Sequence, residues 1–179
     1  MLENLRSAIG ITIARLRLRE APESVISFTS SFSSARSALI IMPLREQVLV
    51  HTTAIIELMR RKFPEENLTL VTHEHDLSLP PLLPRSTVIR LVQDDIGFFF
   101  LPRRSILDQL TKRDFDLAID LNLDLVLPSG YICRESKARV RVGFIRHRSD
   151  AFYNFAIQLN PVLDRQEIYE RLANCLEMF

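Results

Sequence analysis

From residue 38 onward, short apolar runs alternate with segments of helical spacing, and that alternation leaves the chain few folds to adopt. Residues 38–42 (ALIIM), 67–72 (NLTLVT), 87–92 (TVIRLV) and 115–121 (FDLAIDL) read as strands, the last the clearest. Residues 48–63, 103–113, 125–137 and 165–178 carry the spacing of helices, with Pro128 and Gly130 delaying the third. Strands separated by helices imply a parallel sheet covered on both faces. The expected class is therefore α/β, a single domain with a mostly parallel sheet flanked by helices. Residues 138–144 (ARVRVGF) alternate as a strand near a sheet edge would, and 152–159 (FYNFAIQL) read as a further strand. Residues 96–101 are apolar and aromatic but too short to classify, and 79–85 (LPPLLPR) form a Pro-rich connection.

The first 34 residues stand outside that alternation. Leu2, Leu5, Ile9, Ile13 and Leu16 recur at helical spacing, which predicts an amphipathic helix over 1–20 with Arg6, Arg15 and Arg19 on its other face. The favoured reading docks this helix on its own domain. A self-association helix and a basic membrane-surface helix are the alternatives. The Ser-rich stretch 25–37 (VISFTSSFSSARS) suggests a short strand over 25–28 and then a loop. The expected division is a helical extension and Ser-rich connection over 1–34, then the α/β domain over 35–179.

With 179 residues the chain can bury a core without staples. A net charge of +1 argues against a nucleic-acid partner, which would require a marked basic excess. The positive charge is nearly all arginine, which favours forked contacts to anions. Cys133 and Cys175 form neither a CxxC pair nor a metal-ligand spacing, and read as reduced, buried residues. No apolar run approaches the roughly 18 residues of a membrane helix. The N-terminus lacks the pattern of a signal peptide, so the cytoplasm is the expected compartment.

Gly10, Gly97, Gly130 and Gly143 are the only glycines, and none lies in a dinucleotide-binding or P-loop pattern. No cofactor is expected. In 72–76 (THEHD), His73 and His75 would point the same way on an extended segment, but adjacent residues make a poor cage, and no metal is expected. Asp120, Asn122 and Asp124 alternate past the clearest strand. In extended geometry they share one face, where open α/β sheets gather ligand-binding groups. The competing reading has them capping the next helix. Arg139, Arg141, Arg146, His147 and Arg148 form a basic cluster, either an oxyanion site or, favoured, solvated charges on an edge strand. His51 opens a helix and is more often a structural group than a base in that position.

The segments 48–53 (VLVHTT), 60–64 (RRKFP), 115–122 (FDLAIDLN) and 141–144 (RVGF) occur in the order and spacing of family 9 glycosyltransferases, the heptosyltransferases of lipopolysaccharide synthesis. The chain resembles the N-terminal, acceptor-side half of that family over about 38–144. The resemblance implies a Rossmann-like domain, half of a GT-B fold. It also implies a departure: when His51 is set on the family's histidine, Gln47 falls on its glycine and Val48 on its catalytic aspartate. Valine cannot accept a proton from a sugar hydroxyl. Glu46 lies close by in sequence but is expected on a different side of the turn. With 179 residues the chain is also expected to lack the family's donor-binding half. The segments 127–132 (LPSGYI) and 152–159 further resemble a group of uncharacterised single-domain proteins.

These observations favour a non-catalytic binding or assembly module tied to cell-envelope glycan synthesis, with a glycan acceptor or a partner glycosyltransferase chain as its partner. A glycosyltransferase subunit completed by a donor-binding partner and a structural homo-oligomer are the alternatives. No catalytic residue is assigned. Glu46, His51, Asp120, Asn122 and Asp124 are the candidate ligand-binding residues.

Overall fold

The computed structural model describes residues 2–18, 26–44, 50–73 and 83–179. Six strands form one all-parallel sheet: β1 (Ala38–Ile41), β2 (Leu68–His73), β3 (Thr87–Leu91), β4 (Leu117–Asp120), β5 (Val140–Phe144) and β6 (Phe155–Ile157). Their spatial order is β3-β2-β1-β4-β5-β6. The chain lays strands outward on one side of β1 and then returns to lay β4 on its other side. This reversal makes the carboxyl ends of β1 and β4 the topological switch point, where such sheets receive ligands. Ile41 stands opposite Val71 on one side and Asp120 on the other.

Among the described residues six α-helices cover the sheet: α1 (Leu2–Leu18), α2 (Phe28–Ser33), α3 (Thr53–Lys62), α4 (Arg104–Leu110), α5 (Leu127–Glu135) and α6 (Arg165–Glu177). Because both faces are covered, β1, β4 and β5 are buried at every position, the reason these strands read as apolar runs. On one face Ile40, Leu70, Ile119 and Val142 pack with Phe32 of α2, Ile55 and Met59 of α3, and Tyr169 and Leu172 of α6. On the other, Leu39, Ile41, Val71 and Ala118 pack with Ala14 of α1, Ile106 of α4 and Ile132 of α5. Pro128 sits in the first turn of α5, where its missing N–H costs nothing. Asp164 caps α6, accepting from the Glu167 N–H at 2.8 Å while Glu167 accepts from the Asp164 N–H at 3.1 Å.

Three expectations are corrected. The Ser-rich stretch holds a helix, α2, where a strand end and a loop were expected; Val25 lies outside the described residues. Serine is a weak helix former, so tertiary packing decides: Phe28 stacks on Phe155 with ring centroids 3.9 Å apart, and Phe32 is buried one turn later. β5 is an interior strand between β4 and β6 and not an edge, so its one arginine, Arg141, is buried and not a charge on a solvated border.

The third correction concerns α1. The helix docks on its own domain, with Gly10 and Ala14 at the closest approach and Ile11, Ile13 and Leu18 packed beside them, so only part of the expected stripe faces inward. Gly10 and Ala14 are buried, while Leu2, Leu5, Ile9 and Leu16 stay exposed. A Cβ on Gly10 would stand 2.1 Å from the Phe99 carbonyl oxygen and 2.8 Å from the Leu127 side chain. Glycine is what lets the helix approach that closely. Arg6 adds a hydrogen bond to the Phe98 carbonyl at 2.9 Å and lies over the Phe98 and Phe100 rings.

Candidate functional site

At the switch point β4 ends on Asp120, and the chain turns there instead of continuing extended. The Asn122 N–H donates to Asp120 Oδ1 at 3.0 Å, the pattern of an Asx turn. The Asn122 amide then ties together both strands that meet at the switch point. Its Oδ1 accepts from the Leu44 N–H, just past β1, at 2.8 Å. Its Nδ2 donates to Asp120 Oδ1 at 2.8 Å and lies 3.2 Å from Ser129 Oγ in the first turn of α5.

The second oxygen of Asp120 is taken from the opposite direction. The Tyr153 hydroxyl donates to Asp120 Oδ2 at 2.7 Å. To arrive there the Tyr153 ring crosses β5 over Gly143, where a Cβ would lie 2.6 Å from two ring carbons. Gly143 thus opens a lane through the sheet surface that any side chain would close. Arg141, two residues before it, holds the segment that carries Tyr153. Its Nε donates to the Phe152 carbonyl at 3.1 Å, and its backbone N–H donates to Asn154 Oδ1 at 2.8 Å.

Burial governs the electrostatics of this group. Asp120 is 1% exposed. Its carboxyl is pushed up to about 6 by loss of water, against hydrogen bonds from Asn122 and Tyr153 that pull it down. Tyr153 is raised well above the ordinary phenol range, by burial first and then by the neighbouring Asp120 charge. Buried Cys133 is raised in the same way, which keeps it a thiol. Arg141 is lowered by burial.

Both Asp120 oxygens are thus bonded within the protein and almost fully removed from water. What the switch point offers outward is a shallow cleft of about 150 Å³, bounded by Pro43 and Leu44 after β1, by Asn122, Asp124 and Val126 after β4, and by Arg165 at the start of α6. Among the described residues this is smaller than an ordinary small-molecule pocket of about 300 Å³ or more.

The structure thus joins Asp120 and Asn122 directly and buries both, whereas the extended alternation placed them on one open face with Asp124. Asp124 is exposed on the cleft rim. His51 lies half-buried in the single turn Val50–Thr52 ahead of α3, and among the described residues no hydrogen bond links it to the buried pair. Glu46 and Val48 lie outside the described residues, as do Glu74, His75 and Asp76 of the histidine-bearing segment. The basic cluster is divided: Arg141 is buried within the sheet, and Arg139 and His147 are exposed. Tyr153, Gly143 and Ser129 were missed from the sequence. The one available signal was a glycine inside a strand, which marks a close approach.

The model of a family of unknown function (DUF6913) matches residues 24–179. No curated protein matches this sequence. Among solved structures, the E. coli heptosyltransferase WaaC with ADP superposes with a TM-score of 0.60 at 16% identity, covering 78% of this chain and 46% of that one. The glycosyl transferase family 9 structure from Veillonella parvula gives 0.53 at 15% identity, covering 88% of this chain and 44% of that one. The chain therefore spans less than half the length of either structure. At these identities the likeness is one of fold, a Rossmann-type α/β layer of the kind found in glycosyltransferases.

Proposed function

The chain belongs to this family of unknown function, DUF6913, and from that premise we propose that it is a non-catalytic binding or assembly module on a glycosyltransferase-like fold, serving cell-envelope glycan (lipopolysaccharide) synthesis. One observation carries the non-catalytic part: the acid at the switch point is 1% exposed and bonded on both oxygens to Tyr153 and Asn122. Asp120 and Asn122 are used here to fasten β4 to the 152–154 segment and to the loop after β1. Val48, standing where the resemblance sets a catalytic aspartate, supports the same reading. The glycan context is supported by the fold of the heptosyltransferase and family 9 structures.

The test is a transfer assay on purified full chain with an ADP-linked heptose donor and lipopolysaccharide-core acceptors, beside a binding measurement with the same acceptors. The reading expects acceptor binding and no transfer above the protein-free blank. Transfer that survives repurification would overturn it. Transfer that appears only when a second chain is added would favour a subunit completed by a partner.

A further inference from the structure

α1 has two apolar faces, and only one is covered. Gly10 and Ala14 pack inward, while Leu2, Leu5 and Leu16 are 77%, 59% and 59% exposed and Ile9 is 38% exposed. With Thr12 these residues fall at positions 2, 5, 9, 12 and 16, the alternating three- and four-residue step of a coiled-coil seam. Thr12 donates its hydroxyl to the Ala8 carbonyl at 2.9 Å, so its polar atom is already satisfied. Phe98, 67% exposed, stands under Arg6 and extends the patch. We propose that this seam is a self-association surface, on which a second copy of the same chain packs its own α1 about a two-fold axis.

Two arguments select a second copy over a lipid surface. An interfacial membrane helix sets a broad apolar face against a free cationic one. Here the apolar arc is narrow and its opposite side is buried in the protein. The arginines of α1 are turned to their own domain: Arg6 to the Phe98 carbonyl, Arg15 to Asp150 at 3.2 Å and Arg17 to Tyr131. Each of the three is engaged within its own domain, and Arg148 lines the edge of the seam beside Ile9 and Thr12. Area is the second argument. The exposed leucines, Ile9 and Phe98 carry on the order of 500 Å² of apolar surface, so a two-fold contact would remove about 1,000 Å², where specific interfaces begin. A two-fold contact also closes on itself and leaves no further seam exposed.

Sedimentation of the full chain at micromolar concentration tests this. The expected result is twice the monomer mass, reduced to the monomer by Leu5→Glu with Leu16→Glu, with the dimer constant weakened about a hundred-fold or more and the thermal midpoint of the monomer unchanged. Should the glutamates impair folding, Leu5→Gln with Leu16→Gln serves the same purpose. A monomeric wild type, or a double variant that stays dimeric, would overturn the proposal. A monomeric wild type that floats with phosphatidylglycerol vesicles would overturn it in favour of lipid.

Discussion

Tyr153 reaches Asp120 across an intervening strand, with its hydroxyl 2.7 Å from the carboxylate and its ring lying where a Gly143 side chain would be. Three separate segments are thereby locked: the end of β4, the middle of β5 and the segment before β6. Each participant is buried, so disturbing any one of them leaves the others without a partner or without room.

Gly143→Ala tests the lane. A methyl 2.6 Å from the Tyr153 ring must push the ring aside or bend β5. Overpacking of this kind costs about 1–3 kcal/mol, which denaturant unfolding would register as a lower midpoint. A neutral result would mean that the ring has somewhere else to go.

Tyr153→Phe removes the hydroxyl and keeps the ring. Asp120 then loses one of the hydrogen bonds that hold its carboxyl down, so its value rises above about 6. Loss of a buried bond to a charged acceptor costs about 1.5–3 kcal/mol at neutral pH. A double-mutant cycle with Asp120→Asn should show the two effects to be strongly non-additive.

Asn122→Ala unties the loop after β1 from β4. The Leu44 N–H loses its partner and Asp120 Oδ1 keeps only the backbone N–H of residue 122, at a cost of about 1 kcal/mol for each bond lost. Hydrogen exchange should quicken at Leu44 and Asn122 and stay slow in β2 and β3.

Gly10→Ala sets two effects against each other. In an isolated helix it would stabilise by about 1 kcal/mol. Here the added carbon would meet the Phe99 carbonyl oxygen at 2.1 Å, a contact with backbone that no rotamer relieves. The docking term should win, so α1 should become more accessible to protease while the sheet stays folded.

The sheet was legible in the sequence because its central strands β1, β4 and β5 are buried at every position and so read as apolar runs. The order of strands and helices followed from their alternation. The seat of α1 was only partly legible: Ile13 of the apolar stripe packs inward, but the closest approach is made by Gly10 and Ala14, which spacing arguments do not count. α2 was not legible, because its serines have little helical preference and its stability comes from Phe28 and Phe32 meeting the sheet. Asp120 was singled out for its place at the end of β4, which is right. Its burial depends on Tyr153, 33 residues later and brought close only by the folded sheet.

The central claim is that Asp120 is a sealed structural acid and not a group held open for a ligand. Its folded value of about 6 lies above the unfolded 3.8. Between those values the folded state keeps a proton that the unfolded state releases. Stability from this group is therefore greatest in acid, falls as pH rises from about 4 to about 6, and is level above that. The decisive measurement is the difference in unfolding free energy between wild type and Asp120→Asn from pH 4 to pH 7, in which other titrating groups cancel. The account predicts that wild type loses ground to the variant by about 2.4 kcal/mol across that window. A difference that does not change with pH would show Asp120 titrating as a solvated acid, and would contradict it.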